Sequence, residues 1–295
     1  MDSHIRRMNK ALCFVGSQVT SPVSCWKWLA VLQATLSIWL VQASQHNPSL
    51  TLLGVVVWGG AVICIEDQLD ELQLKPSRVS FALGTILLLI ATVRSVLVLD
   101  QERIVLILPL LQGVALALLL RPIRQLSTLR QPLIVLSLFP LQDLATRLLP
   151  SYWLSVLNAK IGQAYLLLFS LDASSSGRFL LLEGRGVEIL KECNGVDLMA
   201  QLTTIAIVFA LAFPIRSRGL RMGFIALAPL LAVLVNAGRI AILALVVSST
   251  LDKSDELFTF LHEKWGSLVF AGIATVILGQ LYLTLIDREL RRRHG

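Results

Sequence analysis

The feature that most restricts this chain is a series of apolar runs of about 17 to 25 residues, separated by short polar links from Trp26 to Ile286. In lipid every backbone N–H and C=O has to be satisfied within the chain, so runs of that length read as membrane-spanning helices. The chain is 55% hydrophobic and 15% charged, with a mean hydropathy of +0.74. No soluble core of this size needs so much apolar surface. The expected fold class is all-α, a polytopic helical membrane protein with about eight transmembrane helices. A net charge of +7 would suggest nucleic acid in a soluble protein. Here the basic residues sit in short loops and at the ends, the pattern of cytoplasmic segments. Membrane lipid is thus an expected partner and nucleic acid is not.

The whole of residues 1–295 reads as a single integral membrane domain. Residues 1–25, with His4, Arg6, Arg7 and Lys10, form a cytoplasmic segment without the pattern of a removable signal peptide. Spans are expected at about Trp26–Ala43, Leu50–Ile65, Val79–Leu99, Ile104–Leu120, Pro132–Leu149, Val196–Phe213, Met222–Val247 and Gly266–Ile286. The fifth is imperfect, since it holds Pro140, Asp143 and Arg147. Basic loops at Arg121–Arg130 and Arg216–Arg221 and the tail at 287–295 all favour the cytoplasmic side. Residues 151–171 are long enough to cross but carry Asn158, Lys160 and Gln163, and a midplane lysine costs about 2.5 to 3.5 kcal/mol. Loop-charge parity therefore predicts an amphipathic helix on the outer surface, within an external section 151–192 that precedes the last spans, 193–286.

That external section ends in EGRGVEILKECNGVDL, Glu183–Leu198. Two glycines and the alternation on Val187–Lys191 predict a two-stranded hairpin over Phe179–Lys191, with its turn at Glu183–Gly186. Cys193 then lies at the outer end of the sixth span, away from Cys13, Cys25 and Cys64, and reads as a reactive thiol or as a small residue packed at a helix start. Arg239 lies about 17 residues into the seventh span, roughly 26 Å up a core of roughly 30 Å. It shares a helix face with Asn236, and it reads either as a cavity-facing cation or as a side chain snorkelling to the headgroups. His262 precedes the eighth span and is either a solvated loop residue or a proton carrier. The three converge near one membrane surface.

The run VEILKECNGVDL resembles the catalytic cysteine motif of the exosortase/archaeosortase family, NAGRI its arginine motif and LHEKWG its histidine motif, in the same order. The resemblance covers about Trp153 to the C-terminus and is greatest to the cyanobacterial branch, the cyanoexosortases of type A. Asn194 stands where that family often has serine, and Glu192 where it often has alanine. The resemblance implies a membrane-embedded cysteine protease and transpeptidase in the cell (inner or plasma) membrane, with its site on the non-cytoplasmic face. Its partners would be exported proteins with a C-terminal, PEP-CTERM-like sorting signal: a short motif, a transmembrane helix and a basic tail. Cys193 would form a thioester, His262 would protonate the leaving amine, and Arg239 would stabilise the oxyanion or thiolate. Asn236, Asn194 and Gly195 would support the site, and no metal or cofactor is implied.

Two other classes are open to the same residues. A transporter or channel would use Arg239 and Asn236 as a polar site and would not need the thiol. A metal-dependent membrane hydrolase would show H-E-x-x-H, but Glu263 after His262 has no second histidine at the required spacing.

Overall fold

Long apolar runs in lipid leave the backbone one local solution, the helix, and most of the described residues take it. The computed structural model describes residues 22–69, 76–97, 102–249 and 254–294. The expectations on His4, Arg6, Arg7, Lys10 and Cys13, on the end of the third span at residues 98 and 99, and on the last residue of the tail lie outside the described residues. The helices are α1 (Pro22–Gln45), α2 (Pro48–Leu69), α3 (Arg78–Leu97), α4 (Glu102–Leu120), α5 (Arg130–Leu148), α6 (Ser151–Leu168), α7 (Val196–Ala212), α8 (Arg218–Ser248), α9 (Ser254–His262) and α10 (Lys264–His294). Short 3-10 turns occupy Ile123–Leu129 and Lys191–Cys193, and strands β1 (Ala173–Ser176), β2 (Phe179–Leu182) and β3 (Arg185–Glu188) lie between α6 and α7.

Among the described residues six helices are long and apolar enough to cross a membrane, or seven if the bent pair 105–120 and 123–148 is one span. The difference from the expected eight lies in the fourth and fifth spans. Val105–Leu120 is shorter than the ~20 residues a crossing needs, and α5 carries the ion pair Arg147–Asp143 at 2.7 Å. The two are bent by 115° at Arg121 and Pro122. Helix α6 is not among the crossing helices.

The chain groups into two compact units, one of residues up to His46 with Val57–Phe139, the other of Asn47–Val56 with everything from Pro140. In the first, Trp26 Nε1 donates to Leu116 O at 3.0 Å and Ile123 N to Ser80 Oγ at 2.9 Å. A small cluster of Ile65, Ala117, Leu120 and Leu129 fills the space beneath the 3-10 turn.

The second unit is built on α8. Its Ala228, Ala232, Ala237 and Ala244 are fully buried, and small residues at such spacing let neighbouring helices approach closely. Helices α6, α7, α9 and α10 all pack against it. One face of α6, with Ser155, Asn158, Ala159, Gly162 and Leu166, is buried, while Lys160 on the other face is exposed.

The hairpin is present but ends at Glu188 and not at Lys191, which belongs to the 3-10 turn, and it is part of a three-stranded antiparallel sheet in the order β1-β2-β3 where two strands were expected. Its β2–β3 turn is the two residues Glu183 (φ 52°) and Gly184 (φ 78°), both left-handed, the geometry that matches the twist of a tight hairpin. Leu180 and Leu182 are buried while Phe179 and Leu181 point outward, so one face of the sheet joins Leu166, Ile189, Ile240 and Ala241 in a core. Gln163 Nε2 on α6 donates to Ala173 O at 3.1 Å, and Ser248 Oγ on α8 donates to Leu182 O at 3.1 Å. The sheet is thus tied to both helices. The polar link expected before the last span holds a further helix, α9.

Tyr282 on α10 is 2% exposed, and its hydroxyl bonds Phe213 O at 2.5 Å and Phe209 O at 3.1 Å at the end of α7, where Phe209 O also accepts from Phe213 N at 2.9 Å. Tyr282→Phe keeps the ring and removes the hydroxyl from these carbonyls. The expected cost is about 1 kcal/mol, read as a lower Tm of the purified protein.

Candidate active site

The sequence CNG folds as it does because of its third residue. Gly195 has φ +79° and caps α7, a conformation that side chains rarely adopt. A Cβ there would also stand 2.8 Å from Asn236 Nδ2. Just before it, the 3-10 turn Lys191–Cys193 lifts the thiol off the helix proper, so Cys193 precedes α7 and does not begin it. Asn194 Oδ1 accepts from Val196 N at 3.1 Å, and Asn194 Nδ2 donates to Ser151 Oγ and Ser151 O at the start of α6.

The turn is held from behind by two more amides. Asn236 Nδ2 on α8 donates to Cys193 O at 2.9 Å and to Asn158 Oδ1 at 3.1 Å. Asn158 Nδ2 on α6 donates to Asn194 O at 3.0 Å and to Leu154 O at 2.8 Å. Asn158 and Asn194 are fully buried and Asn236 is 3% exposed. Every N–H of the Asn158 and Asn236 amides is used, which also fixes which way each amide faces.

Cys193 Sγ lies 3.5 Å from His262 Nδ1, within reach of a sulphur hydrogen bond. His262 is the last residue of α9, and Phe258 one turn earlier stacks on its ring, with centroids 5.4 Å apart and planes at 9°. Arg239, 5% exposed, secures that helix end: Nε and Nη2 donate to Leu261 O at 3.0 and 2.9 Å, and Nη2 also to His262 O at 2.8 Å. A helix C-terminus leaves such carbonyls without partners and carries partial negative charge, so a guanidinium suits it. Arg239 is buried, with its guanidinium turned to carbonyl partners. Its bonds fix the backbone of the histidine, and Nη1 takes no part in them.

The structure therefore brings Cys193, His262, Arg239, Asn236, Asn194 and Gly195 together around one turn. A cleft of about 180 Å³ opens on the thiol, walled by β3 on one side and by Phe258 and His262 on the other, with Ile240, Leu243 and Val247 as its floor. Sequence reading missed Asn158 and Phe258. For Asn158 there was a signal, a polar residue in an apolar run with no charge to solvate it. For Phe258 the only signal was its i, i+4 spacing to the histidine, on a segment taken as a link.

Asn158→Asp would set carboxylate oxygens against the carbonyls of Leu154 and Asn194 in place of two donated bonds. We expect it to cost about 2 kcal/mol or more in stability and to change the rate at which iodoacetamide alkylates Cys193. Gly195→Ala is expected to cost at least about 1 kcal/mol from the backbone alone, and more as Asn236 is displaced. Unaltered melting and alkylation in both variants would mean that the turn does not depend on these amides.

Comparison with known families adds an independent finding. A family model described as transmembrane exosortase (Exosortase_EpsH) matches residues 39–279. No curated protein and no solved structure matches the chain. The match takes in most of the chain and contains the cysteine turn, the arginine helix and the histidine helix described above, and the chain belongs to the transmembrane exosortase family.

Proposed function

We propose that the chain is a cysteine peptidase and transpeptidase that cleaves the C-terminal sorting signals of exported proteins through a thioester. Exosortases are a family of membrane-embedded proteins that process sorting signals, which sets the general activity. The observation that carries the finer reading is the 3.5 Å approach of Cys193 Sγ to His262 Nδ1 at the end of an open cleft. The thiol proton passes to the imidazole, and the thiolate attacks the scissile carbonyl carbon. A tetrahedral oxyanion forms; as it collapses the C–N bond breaks and the imidazolium returns its proton to the leaving amine. The acyl group stays on sulphur until an acceptor amine or water attacks the thioester and frees the thiol. Arg239 holds the imidazole in place through Leu261 O and His262 O, and its charge favours the anionic states.

The substrate on this reading has a short recognition motif of the PEP-CTERM kind, a transmembrane helix and a basic tail. Such a helix lies beside the spans of the enzyme and delivers its outer flank to the cleft. The site faces the non-cytoplasmic side of the cell membrane, with residues 151–192 external and the tail 287–295 cytoplasmic, as the arginine-rich loops favour. The CNG triplet supports the cyanobacterial type A branch as the subtype.

The test is cleavage of a sorting-signal substrate by single variants in native membranes. Cys193→Ser and His262→Ala are expected to abolish turnover while leaving the protein inserted. Arg239→Lys keeps the charge but cannot make the three-bond fork, and should lose at least about tenfold in kcat. His46, the other histidine that the expected topology puts on the external side, is the competing candidate, and His46→Ala should stay within about threefold of the parent. A dead His46→Ala beside an active His262→Ala would overturn the assignment.

The facing of the site is checked separately. With Cys13, Cys25 and Cys64 replaced, an impermeant thiol reagent added to intact cells is expected to modify Cys193. Labelling only after lysis would reverse the topology.

A further inference from the structure

Strand β3 is the edge of its sheet, paired with β2 and with nothing on its other side among the described residues. Which of its backbone groups face that open side follows from the ladder. Ile189 N donates to Arg178 O at 2.9 Å, so the N–H of residue 189 points toward the β2 side. In an antiparallel pair successive residues alternate, so Val187 and Arg185 point inward as well, and Gly186 and Glu188 present their N–H and C=O outward. The two-residue turn gives the same phase, because it is closed by the pair Leu182 and Arg185.

That outward edge faces the cleft. A strand lying face-on to a cavity lines it with alternate residues, but the four consecutive residues Gly186, Val187, Glu188 and Ile189 all line this one. The same cleft reaches Cys193 and His262. A peptide that enters this cleft lies between β3 and α9. There it meets two N–H groups and two carbonyls that make no ladder bond among the described residues, spaced about 6.6 Å apart, the repeat of a partner strand.

We propose that the segment of the substrate next to the scissile bond binds as a fourth strand of the sheet, hydrogen-bonded to the outward groups of Gly186 and Glu188. This rests on the peptidase reading and adds to it the mode of recognition. The main chain supplies register, and alternate side chains of the substrate point down onto Ile240, Leu243 and Val247 or out to solvent. The substrate class that fits is an extended peptide with unblocked amides and an apolar side chain on its inward positions.

Two experiments on the full-length membrane protein test it. Glu188→Pro removes the outward N–H, and proline is tolerated on an edge where that N–H makes no ladder bond. Glu188 also pairs with Arg178, so Arg178→Ala is the control for the lost ion pair. We expect Arg178→Ala within about threefold of the parent in kcat/KM and Glu188→Pro lower by about tenfold or more. Equal values for the two variants overturn the proposal. The second experiment leaves the enzyme unchanged and uses sorting-signal peptides carrying one N-methyl amide each, read by protection of Cys193 against iodoacetamide. Losses of about tenfold at every second position support the added strand. Uniform losses, or no protection by the parent peptide, overturn it. Alternating protection without any cleavage would keep the strand and overturn the peptidase reading, so the two failures are distinct.

Discussion

A guanidinium placed inside a bundle of apolar helices has to be answered by something, and in this chain Arg239 is answered by the end of α9. Three hydrogen bonds to Leu261 O and His262 O satisfy a buried cation and a helix terminus at once. Each alone would be costly where water is scarce. The imidazole of His262 is the side chain hung on that terminus, so its position against Cys193 follows from an electrostatic requirement that exists before any chemistry. Phe258 completes the arrangement by restricting the ring plane. The histidine itself is exposed to the cleft.

The sulphur side of the pair is fixed by a different means. Three asparagines from three elements converge on the turn, and the only left-handed residue in it is the glycine that closes against Asn236. Helix α6 is thereby part of the site without contributing a reacting atom. Its Gln163 and the Ser248 hydroxyl of α8 also anchor the sheet that walls the cleft. The cleft therefore inherits its shape from the same two helices that hold the cysteine.

Much of this was legible in the sequence. Apolar run length gave the class and most of the spans, since the requirement to satisfy the backbone in lipid is local. It was less informative for α4 and α5, where proline, Asp143 and Arg147 break the pattern and the chain bends by 115°. The hairpin was readable from its glycines, but β1 was not, because Ala-Ser-Ser-Ser has neither strand propensity nor alternation and is held by Gln163 and by its neighbour β2. Cys193, Arg239 and His262 could be found from motif order. The bonds Arg239 makes could not, since they go to carbonyls, which every residue possesses. Asn158 could be seen as polar but not as internal, because burial of one helix face depends on α8, about eighty residues further on.

The amide lattice around the turn has one further consequence. Asparagine side chains neither gain nor lose protons, and a guanidinium stays charged throughout the range in which proteins fold. The carbonyls of Cys193 and Asn194 and the backbone of His262 are therefore gripped by groups indifferent to acidity. The backbone on either side of the sulphur–imidazole contact is thus anchored by parts that do not titrate.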